Sequence, residues 1–316
     1  MSGTLIHLGA LPSRSEGSAA PESRATASTA PSPAVRPERD LPLEPVAAAA
    51  QLRRLPAGAR IWSHGWVRKG LILVALALAW QLAALWQDND LLLPTFTASA
   101  QALVQGLASG ELLGKAAISL GILLQGYVLG VLLALGLTTL AVSTQLGRDL
   151  LSTLTSMFNP LPAIALLPLA LLWFGLGRGS LVFVLIHSVL WPLALNTYAG
   201  FQAVPETLRM AGRNYGLRGA RYVVQILVPA ALPSILSGLK IAWAFAWRTL
   251  IAAELVFGAS SGQGGLGWYI FQNRNELHTD NVFAGLALVV LIGLAVETLV
   301  FATLERLTVR RWGQQR

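Results

Sequence analysis

Long apolar runs separated by short polar segments dominate the chain from about residue 67 onward. A helix that crosses a bilayer core needs about 20 mainly apolar residues, with a range of about 17 to 25. Six stretches reach that length, namely Val67–Trp86, Leu112–Val142, Leu150–Phe174, Leu181–Gly200, Pro229–Phe257 and Val282–Leu304. The pattern predicts an all-α integral membrane protein with about six transmembrane helices.

The third stretch differs from the others because it contains Pro160, Pro162 and Pro168. Proline removes a helical hydrogen bond, so this span is predicted to be kinked or broken, which a membrane tolerates where neighbouring helices satisfy the freed backbone groups. Between the first two spans, Thr97–Ser109 forms a shorter apolar pattern that ends near Gly110. It predicts an interfacial helix at the outer face.

The composition supports the membrane interpretation. Hydrophobic residues make up 54% of the chain and charged residues 12%, whereas soluble domains carry about 25% charged residues. The chain contains no cysteine, which excludes disulfides, thiolate metal sites and a cysteine nucleophile. The four histidines have no metal-ligand spacing, so no metal site is predicted.

Basic residues concentrate in the segments that lie on one side of the predicted spans. These are Arg53, Arg54, Arg60, Arg68, Lys69, Arg148, Arg209, Arg213, Arg218, Arg221, Arg306, Arg310, Arg311 and Arg316. The loops on the other side hold Arg178 and Arg274 among several acids. The asymmetry predicts cytoplasmic N- and C-termini, and it explains the net charge of +8 by topology and contact with anionic lipid rather than by nucleic-acid binding.

The first 60 residues have a different composition. The stretch 13–56 is rich in Ala, Ser, Pro and Arg and has no aromatic residue, so it cannot bury enough surface to offset the entropy of ordering. We expect residues 1–60 to form a disordered cytoplasmic tail. A signal peptide is not expected because no apolar segment follows a basic start, and a transit peptide is the alternative, against which the several acids count.

The segment between the fourth and fifth spans predicts a helix, a bend and a second, basic helix that leads into Pro229. Glu206 falls in the first turn of the first helix, where the helix dipole favours an acid. Gly216 supplies the bend or a positive φ, and the small residues Ala211 and Gly212 leave a shallow surface for a partner. We therefore expect a helical lever that protrudes into the cytoplasm.

This segment resembles the EAA loop of binding-protein-dependent ABC importer permeases, Glu-Ala-Ala-x3-Gly-x9-Ile-x-Leu-Pro. The matching positions are Met210, Ala211, Gly212, Gly216, Ile226, Val228 and Pro229. All spacings hold, while Met210, Gly212 and Val228 depart from the pattern. The resemblance implies that these positions couple the chain to an ATPase, and docking of the helix does not depend on the missing acid.

Other segments resemble the sulfonate, taurine and nitrate branch of these permeases, and the likeness runs from about Trp80 to Arg311. The segments are Leu92–Pro94, Pro168–Gly175, Asn196–Gly200, Val228–Ile235 and Gly264–Gly267. The resemblance implies a methionine-permease-like (type I) fold over residues 61–316, with a cytoplasmic coupling loop at 201–228. It also implies an inner-membrane homodimer that works with two ATPase subunits and an extracytoplasmic binding protein. The cargo would be a small oxyanion such as a sulfonate, taurine or nitrate, and ATP and Mg would be bound by the ATPase rather than by this chain.

Ionisable residues inside spans are costly and usually face protein or water. We expect Lys240 and Glu297, near the inner ends of their spans, to snorkel. Arg248 and Glu254 lie deeper and, with Trp247, are candidates for the substrate path. Each of the three could instead have a structural role. Arg248 and Glu254 could be ion-pair partners, although a spacing of six residues is poor for a direct pair on one helix. Trp247 could serve in packing.

His187 inside the fourth span has two interpretations, a proton carrier or a hydrogen-bonded structural histidine. The glycine-rich run that ends at Gly267 lacks the Gly-Lys-Ser/Thr ending of a phosphate loop and predicts a loop at an outer gate. No catalytic constellation and no nucleotide motif is found in the sequence, so the chain is not expected to be an enzyme. An ion-coupled secondary transporter is the alternative, but no second half of the chain matches the broken third span.

Overall fold

The computed structural model of the chain describes residues 65–257 and 264–310, and these ranges contain helices, turns and no strand. The helices are α1 Gly65–Gln87, α2 Phe96–Ala108, α3 Glu111–Ser143, α4 Gln145–Phe158, α5 Leu167–Phe174, α6 Arg178–Gln202, α7 Glu206–Asn214, α8 Gly219–Tyr222, α9 Leu232–Phe257, α10 Leu266–Asn275 and α11 Thr279–Ala295. The chain continues from α11 as further helical turns to Arg310. The predicted tail, residues 1–60, lies outside the described residues.

Five helices are long and apolar enough to cross a membrane: α1, α3, α6, α9 and the continuous segment Thr279–Thr308. The third predicted span is broken, as its prolines indicated: α4 and the segment Ala163–Phe174 meet at an angle of 89°. Counted as one broken span, this pair brings the total to six. The all-α, six-span prediction is confirmed.

The fifth span begins later than the sequence predicted. We expected it to start at Pro229, but a turn at Ala231 separates the short helical segment Val228–Ala230 from α9, which starts at Leu232. Pro233 is then the second residue of α9. Proline is tolerated there because the first N–H groups of a helix have no partner within it.

The packed centre consists of α3, α6 and α9. Gly126 and Gly130, one turn apart on α3, leave no room for a Cβ atom against Leu185 and Val189 of α6. Such pairs of small residues let membrane helices approach closely. In contrast, only 6% of the apolar window of α1 is buried, so α1 lies at the periphery of the described helices with its leucines exposed.

Candidate functional site

The short helix α7, in the segment that the sequence singled out, is exposed along most of its length. Gly212 is its buried residue, whereas Met210 is 49% exposed and Tyr215, just beyond the helix end, is 86% exposed. Glu206 lies in the first turn, as predicted, and 4.0 Å separates its carboxylate from Arg209 and from Arg213. Exposed ion pairs of this length contribute little stability.

Arg209 fastens α7 to the membrane helix that precedes it. Its Nε–H donates to the carbonyl oxygen of Val204 at 3.1 Å, and its Nη2 donates to the carbonyl oxygen of Phe201. Phe201 lies in the last turn of α6 and Val204 follows its C-cap residue, a region where carbonyl oxygens lack regular helical partners and are open to side-chain donors. Because a cationic side chain satisfies them, α7 is tied to the end of α6.

Gly216 ends α7 in the way that the sequence predicted, with φ at +74°. The Leu217 N–H donates to the carbonyl oxygen of Gly212 at 3.1 Å, and the Gly216 N–H donates to that of Arg213 at 2.9 Å. These two bonds form a Schellman motif, which needs a left-handed residue at this position. The glycine therefore sets the direction in which the chain leaves α7.

Gly212 faces the chain itself. A Cβ atom there would lie 2.9 Å from Cγ1 of Ile226 and 3.1 Å from the ring of Tyr222. Of the two small residues expected to receive a partner, Ala211 is thus the exposed one. Ile226 and Pro229 line a groove of about 470 Å³ together with Leu208 of α7. The coupling positions indicated by the sequence therefore lie in one local unit after α6.

Glu254 occupies a buried hydrogen-bond network rather than an open path. Its side chain is 2% exposed, it accepts the hydroxyl of Ser119 on α3, and it accepts the Gly267 N–H at 2.8 Å. The Leu266 N–H donates to the Ser119 hydroxyl at 2.8 Å. Glu254 thus holds the first turn of α10 against α3 and α9.

Arg248 and Glu254 are not paired. The Nε–H of Arg248 donates to the carbonyl oxygen of Ala244 in its own helix at 3.0 Å, and its guanidinium lies 4.9 Å from the ring centre of Phe245. Trp247 is 7% exposed and donates its indole N–H to the carbonyl oxygen of Val289 on α11. Trp247 thus joins α9 to α11, whereas the side chain of Arg248 is exposed.

Lys240 has an acidic partner that the sequence did not indicate. Its ammonium lies 2.6 Å from the Glu305 carboxylate, in the helical turns that follow α11. Glu305 is 65 residues away in sequence, which is why periodicity along one helix gave no sign of the pair. Lys240, Arg248 and Glu297 line a cavity of about 350 Å³ between α9 and this last helical segment.

A larger cavity, of about 570 Å³, lies between the break of the third span, α6 and α9. Pro160 and Pro162 line it from the break, His187 and Trp191 from α6, and Phe245 from α9. The His187 ring nitrogens are buried and have no hydrogen-bond partner among the described residues. The His187 ring instead packs edge to face against Phe158 and Trp191. The prolines were the only sequence signal for this cavity.

The described residues contain no cluster of three His, Asp or Glu side chains that could hold a metal ion.

Comparison with known proteins places this arrangement among transport proteins. The sequence profile of one family, described as "Binding-protein-dependent transport system inner membrane component", matches residues 126–314. That range includes α7 and every residue named above as lining the two mid-span cavities.

Three curated proteins illustrate the likeness. The chain is 33% identical to the putative aliphatic sulfonates transport permease protein SsuC of Escherichia coli, over 75% of this chain and 89% of that protein. It is 29% identical to the taurine transport system permease protein TauC of Escherichia coli, over 76% and 87%. It is 30% identical to the nitrate import permease protein NrtB of Synechocystis, over 58% and 65%.

Proposed function

The chain belongs to the family of binding-protein-dependent transport system inner membrane components, and from that premise we propose that it imports a small oxyanion such as a sulfonate, taurine or nitrate. It is the multi-pass permease subunit of an ABC importer in the inner membrane, and it is not itself an enzyme. It works with an ATPase and a substrate-binding protein. The family match and the permease relatives favour this assignment over the alternative, an ion-coupled secondary transporter.

The attachment of α7 to α6 through Arg209 carries the proposed mechanism. Two hydrogen bonds tie an exposed helix to the end of a membrane helix, so a push on α7 is transmitted to α6. We propose that the ATPase grips α7 around Met210, Ala211 and Gly216. Closure of the ATPase dimer would then shift α6 and α9 and exchange outward- for inward-facing states.

ATP and Mg are proposed to stay entirely in the ATPase partner. This chain's contribution is mechanical: α7 presents the docking surface, Gly216 fixes its exit angle, and Ile226 and Pro229 set the position of the segment that leads into α9. The coupling loop 201–228 and the remaining spans then form one permease domain over residues 61–316.

The exposed face of α9 supports a homodimer served by two ATPase subunits. Ile241, Ala244, Phe245 and Arg248 follow one another at helical spacing and are all exposed. A charged side chain in the middle of a span is costly against lipid and usually faces protein or water. We propose that this face lies against a second copy of the chain and that Arg248 attracts the anion along the path between the two copies.

The proposal is tested by determining on which side of the membrane α7 lies and whether a bound ATPase shields α7 from labelling. The chain has no cysteine, so Tyr215→Cys introduces a single reactive thiol at an 86% exposed position. Trp86→Cys is the matched control, because Trp86 is 91% exposed at the end of α1 that is predicted to be outer.

A membrane-impermeant maleimide should label Y215C in inside-out vesicles and W86C in right-side-out vesicles. Co-expression of the ATPase should protect Y215C and leave W86C reactive. Labelling of Y215C from outside the cell, or full reactivity of Y215C in a complex that still imports, would contradict the proposal.

A further inference from the structure

Two charged side chains on the fifth and sixth spans have no charged partner within the described part of the chain. Arg248 lies on α9, Glu297 lies on the last span, Thr279–Thr308, and both are exposed. Neither forms an ion pair with another described residue. Ionised side chains at membrane depth are costly against lipid and usually face protein or water, so these two indicate a contact that one copy of the chain does not supply.

Both charges line the cavity of about 350 Å³ between α9 and the last span, so they lie at similar depths in the membrane. Lys240 lines the same cavity, but it is neutralised within the chain by Glu305, at 2.6 Å. Each copy is therefore left with one cation and one acid on this surface.

The guanidinium of Arg248 is turned away from the last span of its own chain. Trp247 marks the side of α9 that contacts this span, because its indole N–H donates to the carbonyl oxygen of Val289. Phe245 is two residues earlier and points to nearly the opposite side of α9, since each residue turns a helix by about 100°. The guanidinium lies 4.9 Å from the centre of the Phe245 ring. Arg248 is thus directed toward a neighbouring molecule rather than toward Glu297 of the same chain.

Glu297 lies within the apolar part of its span. Val290 and Leu294 precede it on the same face of the helix and are 67% and 56% exposed. Residues 298–304 carry no charge, and Glu305 is the next ionisable residue toward the inner end. The last span therefore presents an apolar face that contains one acid, just as the exposed face of α9 is apolar and contains one cation.

We infer that Arg248 pairs with Glu297 of the partner subunit across the interface between two copies of this chain. The inference rests on the proposed homodimer and deepens it, because it adds the last span to the exposed face of α9. Identical chains cross the membrane in the same direction, so a twofold axis between them runs along the membrane normal and preserves depth. Such an axis makes each contact twice, so the dimer contains two of these ion pairs.

The charges on this surface are self-complementary. One cation and one acid per copy attract each other across a twofold contact, whereas like charges placed opposite each other repel. Arg248 can serve the pair and the proposed anion path together. Its Nε–H donates to the carbonyl oxygen of Ala244, which leaves its two terminal nitrogens for a carboxylate and for a passing anion.

Charge reversal distinguishes a pair between copies from a pair within one copy. Full-length chains that carry two different affinity tags are co-expressed, and the amount of one that co-purifies with the other is measured. Wild-type chains should co-purify. Arg248→Glu in both copies places acids opposite each other, and Glu297→Arg in both copies places cations opposite each other, so each should reduce co-purification about tenfold or more.

Mixed variants should restore the dimer. When a copy with R248E is co-expressed with a copy with E297R, both contacts between the copies again join opposite charges, and co-purification should return close to the wild-type level. Lys240→Glu and Glu305→Lys are the matched control, because that pair lies within one chain. Any loss that these two variants cause should be relieved only when both are placed in the same chain, and not when K240E is mixed with E305K.

A thiol cross-link tests the same contact without depending on charge. The chain has no cysteine, so a copy with Arg248→Cys and a copy with Glu297→Cys should be joined in native membranes by a short bifunctional methanethiosulfonate. The product should carry both tags. A copy with Arg178→Cys, at an exposed position at the start of α6, replaces R248C as the control and should not be joined to E297C.

Three results would overturn the inference: normal co-purification of both single charge-reversal variants, no recovery in the mixture of R248E and E297R, or no cross-linked product between R248C and E297C. These outcomes are separable from failure of the proposed function. Wild-type chains that do not co-purify would contradict the proposed homodimer itself, whereas any of the three results with a normal wild-type dimer would contradict the inference alone.

Discussion

Ser119 donates its hydroxyl to the carboxylate of Glu254, with the oxygen 2.9 Å from each carboxylate oxygen. The two residues are 135 positions apart in sequence and join α3 to α9. Together they also accept the N–H groups of Leu266 and Gly267, the first two residues of α10. The N-cap residue of α10 makes no side-chain hydrogen bond to these N–H groups. A helix N-terminus favours a carboxylate, so Glu254 acts as a cap supplied from another helix.

Removing the Ser119 hydroxyl should destabilise the permease. Ser119→Ala leaves the Leu266 N–H and the Glu254 carboxylate each short of one buried partner, which we expect to cost about 2–3 kcal/mol. The Tm of the purified protein, followed by the fluorescence of its tryptophans, should fall by several degrees.

Ser99→Ala is the matched control for that experiment. Ser99 is also buried, at 4% exposure, but its hydroxyl has no partner among the described residues. Its removal should therefore leave the Tm nearly unchanged. Equal effects of S119A and S99A would mean that the Ser119–Glu254 network contributes no specific stability.

Arg209 should prove more important for coupling than the neighbouring Arg213. Arg209→Ala leaves the carbonyl oxygens of Phe201 and Val204 without their cationic donor, at a cost of about 1.5–3 kcal/mol, and frees α7 from α6. ATP hydrolysis should continue while import per ATP falls severalfold. Arg213→Ala removes a comparable charge that is 64% exposed and 4.0 Å from Glu206, so import per ATP should stay close to that of the wild type.

The amount of cargo imported per ATP can be measured for both variants in proteoliposomes that contain the complete importer, from phosphate release and the accumulation of labelled cargo. A normal import-to-ATP ratio in R209A would show that α7 transmits force by another route.

Gly216 should be required for the direction of the coupling segment. Gly216→Ala places a Cβ atom on a left-handed residue, at a cost of about 1–2 kcal/mol, and we expect the Schellman turn to shift and the import-to-ATP ratio to fall. Gly110→Ala imposes a similar strain, since its φ is +79°, but Gly110 lies between α2 and α3.

The comparison of these two glycines separates strain from coupling. Both variants should lose a similar amount of thermal stability, whereas G216A alone should lose coupled import. Impaired import in both would indicate that global destabilisation, not the geometry of α7, is responsible.

The sequence predicted those features that depend on neighbouring residues. Run length gave the spans, the three prolines gave the break at residues 159–162, and Gly216 gave the left-handed turn, because each follows from the local conformational limits of the residue types. The start of α9 was misplaced by three residues, because proline in the first turn of a helix and proline just before it are equally acceptable.

The sequence could not predict pairings between distant helices. The Lys240–Glu305 ion pair, the Ser119–Glu254 bond and the Trp247–Val289 bond each join residues that are 42 to 135 positions apart. Periodicity along one helix shows which of its faces is apolar, but it does not show which other helix packs against that face. For the same reason the sequence makes Glu254 a candidate for the substrate path, whereas the structure buries it in the α10 cap.

Arg248 should determine the affinity for an anionic cargo and its dependence on salt. Its guanidinium is exposed on α9 and lies over the ring of Phe245, which lines the larger cavity. Arg248→Ala removes the charge that lies over the Phe245 ring, so we expect the apparent KM for a sulfonate to rise about tenfold, a change that corresponds to about 1.4 kcal/mol. Arg248→Lys keeps the charge and should retain much of the affinity, while losing the planar stacking on the ring.

Arg178→Ala, at an exposed position at the start of α6, is the charge-matched control and should leave KM unchanged. Because an attraction of this kind weakens with ionic strength, the difference between the wild type and R248A should shrink between low and high salt. A KM that is the same in R248A and the wild type at low salt would place the anion path elsewhere and leave Arg248 as a residue of the contact between two copies of the chain.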